Sequence, residues 1–202
     1  LNPHHIKRMS AALKAHGPER EKHWSRDGVM LGHRLMAFTP EDRFGAGIEH
    51  SENGRYVLTG EGRIDNRPEL IEELGLDKRQ AALWSDSRFM LQAFEKWGEQ
   101  AGSHLYGDFC FAVWDKEARS LHLVRDPLGY HSSLFYYQCD QFIAFSTAIK
   151  GLLAVPGIPR ALNEEKLADF LILNHNDHCT THYQDIYRLP PAHHLRCEQG
   201  VS

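Results

Sequence analysis

The sequence lacks any long apolar stretch. No run of apolar residues approaches the roughly 20 residues that a membrane-spanning helix needs. The first residues also lack the basic, apolar and small-residue regions of a signal peptide. These absences predict a cytoplasmic protein with no membrane partner.

Positive charge is scarce as well. The 23 Lys and Arg residues are outnumbered by 27 Asp and Glu residues, and the formal net charge is −4. A nucleic-acid partner would require a concentrated basic face, so we expect none. The 42% hydrophobic and 25% charged content is ordinary for a globular chain, and 202 residues suffice for one domain or at most two.

The four cysteines show no pattern that would place them in a common disulfide or metal site. Their spacing fits neither a disulfide framework nor a metal site: Cys110, Cys139, Cys179 and Cys197. We therefore expect reduced thiols and no metal. The sequence also lacks an initiating Met, because its first residue is Leu1. At the other end, residues 200–202 follow a segment that reads as only the first strand of a strand pair. The expectation is a chain truncated at its N-terminus and cut from a longer protein.

A hairpin at residues 106–129 is the clearest structural signal. Two apolar sets alternate along its first strand: Phe109, Phe111 and Val113, and then Cys110, Ala112 and Trp114. A strand that is apolar on both faces is typical of a sheet covered by layers on both sides. The polar turn at residues 115–119 connects it to a second apolar strand.

Other elements follow from periodicity and breaker residues. Helices are predicted at residues 3–15, 68–74, 85–98, 148–153 and 164–173, and strands at 29–38, 55–59, 133–137 and 142–146. Asn163 should cap the last helix, with Leu167, Phe170 and Leu171 facing inward. Strand pairs interrupted by helices favour an α+β layered domain over alternating βαβ units.

Seven short segments, spread along almost the whole chain, match the motifs of one protein family in the same order and with the same spacing. They are Ala15-His16-Gly17-Pro18-Glu19, Leu31-Gly32-His33-Arg34-Leu35, Ile64-Asp65-Asn66-Arg67-Pro68-Glu69-Leu70, Ser85-Asp86, Arg125-Asp126-Pro127-Leu128-Gly129, Phe145-Ser146-Thr147-Ala148-Ile149-Lys150 and Arg188-Leu189-Pro190-Pro191. In order and spacing the chain resembles the glutaminase domain of the asparagine synthetase family. These are class II glutamine amidotransferases with an N-terminal nucleophile.

The resemblance implies a fold and a domain boundary. The fold is a four-layer αββα sandwich with two antiparallel sheets, of the N-terminal nucleophile hydrolase kind. The glutaminase-like domain would span residues 1–202. Residues from about 174 to 202 would close it and lead toward a C-terminal synthetase domain that this sequence does not contain.

The resemblance also implies a nucleophile that these residues do not supply. In the family an N-terminal Cys thiol attacks the glutamine amide while its own α-amino group serves as base. Leu1 has no nucleophilic atom, and by register that Cys would lie upstream. Cys110 has no free α-amine and is expected to be buried, so we predict no catalytic residue within this chain.

Four positions correspond to a candidate or vestigial glutamine pocket. Arg34 is displaced by one residue from the family's carboxylate-binding Arg, and such a shift turns a strand side chain to the other face. In an ungapped register Glu61 and Gly62 fall where the family has its oxyanion-hole Asn and Gly, and an acidic Glu61 would repel the developing charge. With two residues inserted, the family's Asn-Gly-Glu motif would instead fall on Thr59-Gly60-Glu61, and either register loses the Asn. Asp86 keeps the family's residue type, although a helix N-cap explains it equally well.

Residues 63–67 and these departures resemble two offshoots of the family, the β-lactam synthetases and the lasso-peptide cyclases, in which this domain hydrolyses no glutamine. Two hypotheses follow: a silent domain of an ATP-dependent amide-forming ligase, or an active glutaminase whose Cys lies upstream of Leu1. The domain itself would need no cofactor, whereas the synthetase domain would use ATP and Mg²⁺. Beyond that domain, a precursor peptide and a second copy of the chain are open as partners.

Four further patterns have ordinary explanations. Residues 60–65 resemble a dinucleotide-binding turn but lack its third glycine and a βαβ unit. A polar loop holds four potential metal ligands in no known zinc spacing: His175, His178, Cys179 and His182. His193 and His194 are interpreted as surface residues, and a set of rings is interpreted as core stacking: Tyr130, His131, Tyr136 and Tyr137.

Overall fold

The computed structural model describes residues 4–37, 39–130, 133–174 and 176–198. Predictions that concern Leu1, Phe38, His131, His175 and residues 199–202 lie outside these ranges. Among the described helices, none is long and apolar enough to cross a bilayer.

The described chain is α+β, with ten strands and seven α-helices. The strands are β1 (Arg20–Arg26), β2 (Val29–Leu35), β3 (Ile48–His50), β4 (Tyr56–Ile64), β5 (Gly107–Asp115), β6 (Ser120–Arg125), β7 (Phe135–Cys139), β8 (Phe142–Ser146), β9 (Ile186–Arg188) and β10 (His194–Glu198). The helices are α1 (His4–Ala12), α2 (Arg67–Leu74), α3 (Lys78–Ala81), α4 (Asp86–Trp97), α5 (Ala101–His104), α6 (Ile149–Leu153) and α7 (Glu164–Leu171).

A five-stranded antiparallel sheet in the order β10-β6-β5-β4-β3 forms the centre. The hairpin β5–β6 confirms the alternation predicted from the sequence. Phe109, Phe111 and Val113 pack against α2 and α4 in one apolar core. Cys110, Ala112 and Trp114 point to the opposite face and join a second core. Both faces of β5 are therefore covered, which is why its residues 109–114 are all apolar.

Two smaller antiparallel sheets, β1-β2 and β8-β7-β9, cover the second face of the central sheet. Helices α1 and α6 lie outside them, and Met9 and Ile149 pack in a third core. The layers are thus helix, sheet, sheet and helix, as the resemblance implied. The second β layer differs from the prediction because it is divided in two, with one edge of β2 and one edge of β8 unpaired among the described strands.

Helix α7 has the predicted cap but not the predicted burial. The Asn163 side chain accepts a hydrogen bond from the Lys166 amide at 3.1 Å, which confirms the N-cap. Phe170 and Leu171 are 57% and 80% exposed, so the prediction that they face inward is wrong. No residue of α7 is buried. The prediction failed because an apolar stripe shows that a helix has a face suited to burial, not that another element covers that face.

The ring cluster predicted at the end of the hairpin is partly wrong. Tyr136 and Tyr137 pack against the second and third cores, as expected. Tyr130 is 83% exposed, because it follows the tight turn in which the Asp126 carboxylate accepts from the Leu128 and Gly129 amides.

Candidate functional site

A cavity with a volume of about 630 Å³ lies between the two β layers. Its floor is formed by β4 and β5, and its walls by β2, by the β7–β8 hairpin and by α1. Arg34 and Glu61 both line it, so the structure brings these two predicted site residues together. Gly62 and Asp86 do not contribute to its lining.

The unpaired edges of β2 and β8 border this cavity. Residues 29–34 of β2 line one side, and residues 142–146 of β8 line the other. A strand edge carries backbone donors and acceptors that require partners when they are covered. The gap between the two small sheets is therefore a place where an extended segment could pair on both sides.

Arg34 is already bound within the domain. Its Nη2 lies 2.7 Å from Glu21 Oε2, and its Nε donates to the Ser10 carbonyl and hydroxyl oxygens, both at 3.0 Å. Ser10 Oγ in turn donates to Glu21 Oε1 at 2.7 Å. This hydrogen bond, together with the Arg34 charge, lowers the pKa of Glu21 against the opposing effect of burial. The guanidinium is thus neutralised by a carboxylate at the cavity wall.

Glu61 lies opposite Cys110 in the β4–β5 register, and both side chains project into the cavity. Solvent reaches the Glu61 carboxylate, but the concave wall crowds it. This loss of hydration raises its pKa, and the charge of Asp108 adds to the effect. Burial chiefly, and then Glu61, raises the pKa of the Cys110 thiol well above its ordinary value. Cys110 therefore stays a thiol and is a poor nucleophile.

Gly60 and Gly62 lie inside β4, not in a turn. A Cβ on Gly60 would approach Phe111 Cβ to 2.7 Å. One on Gly62, whose φ is +135°, would approach the Asp108 carbonyl oxygen to 2.3 Å. These glycines allow close packing of β4 against β5. Since β4 pairs antiparallel with β5, residues 60–65 form no dinucleotide-binding turn.

Asp86 is the first residue of α4 and is not its N-cap. Ser85 caps the helix by accepting a hydrogen bond from the Arg88 amide, so the N-cap interpretation of Asp86 is wrong. Asp86 is buried, its Oδ1 has no hydrogen-bond partner, and Arg67 Nη1 lies 3.7 Å away. Burial raises its pKa to about 6, although Arg67 and the Ile64 amide act in the opposite direction.

A buried carboxylate that the sequence did not reveal holds the start of α4. Glu49 Oε1 on β3 accepts hydrogen bonds from Ser85 Oγ at 3.2 Å and Ser87 Oγ at 3.1 Å. These bonds anchor β3 to the residues on either side of Asp86. The one sequence signal for the buried Glu49 carboxylate is its position between two residues of a short strand, Ile48–His50.

His33 was also missed as a cavity residue. It lines the cavity from β2, and Gly47 lies close against its ring. Burial, and then the charge of Arg20, lowers its pKa to about 4, so the imidazole is neutral at pH 7. A neutral ring can accept or donate a hydrogen bond at the cavity wall.

Comparison with known proteins fixes the family. The model of the glutamine amidotransferase domain matches residues 2–202. The chain belongs to this family. It is 28% identical over 190 residues to the glutamine-hydrolyzing asparagine synthetase 3 of Bacillus subtilis (strain 168), covering 93% of this chain and 31% of that protein. The corresponding values for asparagine synthetase 2 of the same organism are 28% over 198 residues, 95% and 26%.

A solved structure of the Bacillus subtilis glutamine phosphoribosylpyrophosphate amidotransferase, complexed with ADP and GMP, is also similar. Its TM-score is 0.47 at 17% identity, over 62% of this chain and 29% of that one. The chain spans less than a third of the length of the two synthetases named above. In those proteins an amidotransferase domain is one part of a larger polypeptide.

Proposed function

We propose that this amidotransferase domain is a scaffold without glutaminase activity, within an ATP-dependent ligase that forms amide bonds. The observation that carries the proposal is the Arg34–Glu21 contact at 2.7 Å. A pocket that holds the α-carboxylate of glutamine requires a guanidinium with free donors. Here Arg34, one residue from that place in the motif, already donates to the Glu21 carboxylate and to Ser10 of its own domain.

Glu61 supports the same conclusion. In the ungapped register Glu61 stands where the family resemblance implies an oxyanion-hole amide, and catalysis there requires donors aimed at the developing negative charge. In the register with two residues inserted, Thr59 takes that place and the amide is lost as well. An ionised carboxylate offers only acceptors. Losing one such donor typically reduces kcat by about 100-fold to 1,000-fold, and placing a negative charge there is worse.

In this proposal the domain packs against a synthetase domain of the same cytoplasmic protein. That domain would use ATP and Mg²⁺ to activate a carboxylate, which an amine then attacks. The amine could belong to a precursor peptide, as in the lasso-peptide cyclases, or to the same substrate, as in the β-lactam synthetases. The length covered on the asparagine synthetases, 26–31% of each, is consistent with a further domain.

The test uses the protein expressed with all residues that its gene encodes before Leu1. Glutamine is supplied with and without ATP, and glutamate and ammonia are measured. The proposal expects no glutamate above the buffer rate. Glutamate formation that is abolished by alkylating an N-terminal Cys would overturn it.

The active glutaminase is the second candidate, and the cavity favours it. Unpaired edges of β2 and β8 flank a space of about 630 Å³ that contains both Arg34 and Glu61. A strand carrying a nucleophile at its start could pair with both edges and place its thiol beside these residues. In that case Glu21→Ala, which frees Arg34, should lower the KM for glutamine.

A further inference from the structure

A cluster of metal-ligating side chains lies on the other side of the central sheet from the cavity. Glu99, His122 and His194 each offer a ligand atom, and these atoms all lie within 4.8 Å of one another. Across the described ranges, no other group of three or more His, Cys, Asp or Glu residues meets this condition. The described members of the polar loop, His178, Cys179 and His182, do not.

The strand register creates the histidine pair. His122 on β6 lies opposite Arg196 on β10, and His194 lies opposite Val124, so the two histidines are diagonal neighbours on one face. That face packs against the helices, because Val124 belongs to the core under α4. Leu121 and Leu123 point to the other β layer. The site is therefore separated from Arg34 and Glu61 by the sheet itself.

The two imidazoles already face each other through nitrogen. His122 Nδ1 and His194 Nε2 are 2.9 Å apart, and the ring planes are parallel within 1°. Two ligands of a tetrahedral metal ion with bonds of about 2.0–2.1 Å lie about 3.3 Å apart. A shift of a few tenths of an ångström would therefore let one ion replace the proton between these nitrogens.

Neighbouring groups orient the ligands. Ser120 Oγ, fully buried, lies 2.9 Å from His122 Nε2 and can accept its proton, which leaves the lone pair on Nδ1. Arg196 Nη1 donates to Glu99 Oε1 at 3.1 Å, while Glu99 Oε2 lies 4.0 Å from His194 Nδ1, the ring nitrogen that does not face His122, so the carboxylate must turn to join an ion at Nε2. Such contacts around the ligands are typical of metal sites, because they fix tautomer and orientation.

Accessibility also fits metal binding. The side chain of His194 is 18% exposed and that of Glu99 is 48% exposed, so the carboxylate can rotate and a water molecule can reach a fourth position.

We infer that Glu99, His122 and His194 form a binding site for one divalent transition-metal ion of the zinc class. Two imidazoles, one carboxylate and an open position are a ligand set that suits zinc. The ion would join β6 and β10 to the segment after α4 that carries Glu99. The inference is independent of the proposed function, because the site and the cavity lie on opposite faces of the sheet.

The test is a metal titration of the full chain, purified without an affinity tag and stripped with a chelator. Zn²⁺ is added in a calorimeter, and Co²⁺ serves as a spectroscopic probe of tetrahedral coordination. We expect one equivalent of each ion to bind and the thermal midpoint to rise. Glu99→Gln and His194→Gln should each weaken Zn²⁺ binding by at least about tenfold.

Matched controls identify the ligands. Glu73→Gln alters another exposed glutamate, which lies 3.6 Å from His104, and His182→Gln alters the polar loop; both should leave the affinity unchanged. Glu99→Gln is the decisive variant because its half-exposed side chain can change without disturbing the core, and circular dichroism verifies its fold. The absence of saturable binding, or binding that Glu99→Gln and His194→Gln leave intact, would overturn the inference.

Discussion

Arg34 and Glu21 are register partners on neighbouring strands, and their side chains meet at 2.7 Å. The Arg34 side chain is only 13% exposed, so the pair is shielded more than an ordinary surface pair. Ser10 connects both partners to α1. These contacts hold the Arg34 guanidinium against β1 and α1 at the cavity wall.

We expect this pair to stabilise the domain. Glu21→Ala leaves a largely buried guanidinium without its carboxylate and should lower the free energy of unfolding by about 1–3 kcal/mol. A double-mutant cycle with Arg34→Ala, measured by urea unfolding, should give a coupling of about 1 kcal/mol or more. The exposed pair Arg63–Asp65 is the control, with an expected coupling below about 0.5 kcal/mol. Equal couplings for the two pairs would contradict the prediction.

Gly62 should not tolerate a side chain. In Gly62→Ala the new Cβ meets the Asp108 carbonyl oxygen at a backbone φ of +135°, which should cost about 3 kcal/mol or more. Gly54→Ala is the control, because Gly54 also has a positive φ, of +74°, but open space around it. That variant should lose only about 1–2 kcal/mol. Comparable thermal midpoints for the two variants would show that close packing is not the reason for Gly62.

Asp86 should make stability depend on pH. Its folded pKa of about 6 exceeds the ordinary value of 3.8, so the folded state binds more protons than the unfolded state between these pH values. Its contribution is fully present below pH 4 and is lost as the pH rises through 6. The shift corresponds to about 2–3 kcal/mol.

Asp86→Asn tests this directly. The variant has no titrating group at this position, so its stability relative to the original chain should improve by about 2–3 kcal/mol from pH 4 to pH 7. Urea unfolding at several pH values measures the difference. Parallel pH profiles for the two proteins would mean that the ionised Asp86 is satisfied by Arg67 after all.

The sequence predicts most elements whose own composition determines them. The alternation in β5 predicted a doubly covered strand, and Asn163 predicted the start of α7. Strand β1, Arg20–Arg26, has no such signal because it is polar and half exposed. It is extended because β2 pairs with it residue by residue, a tertiary effect that local propensity does not contain.

The candidate site shows the same division. The displacement of Arg34 by one residue predicted a side chain on the other face of its strand, yet the structure has Arg34 on the wall and Glu61 on the floor of one cavity. Neither the Glu21 partner of Arg34 nor the pairing of His122 with His194 could be read from spacing, since 13 and 72 residues separate the partners. His194, interpreted from the sequence as a surface residue, is half-buried against His122 because β10 pairs with β6.

The end of α7 gives the last prediction. Leu171 is 80% exposed, so Leu171→Lys should change the free energy of unfolding by less than about 0.5 kcal/mol, with a small gain from a cation at the helix C-terminus. Leu152→Ala on α6 is the matched contrast, because Leu152 is fully buried and should lose about 2–5 kcal/mol. Both are measured by urea unfolding of the chain. A large loss of unfolding free energy in Leu171→Lys would mean that this leucine is covered in solution. The prediction from the apolar stripe, that this face of α7 points inward, would then be correct.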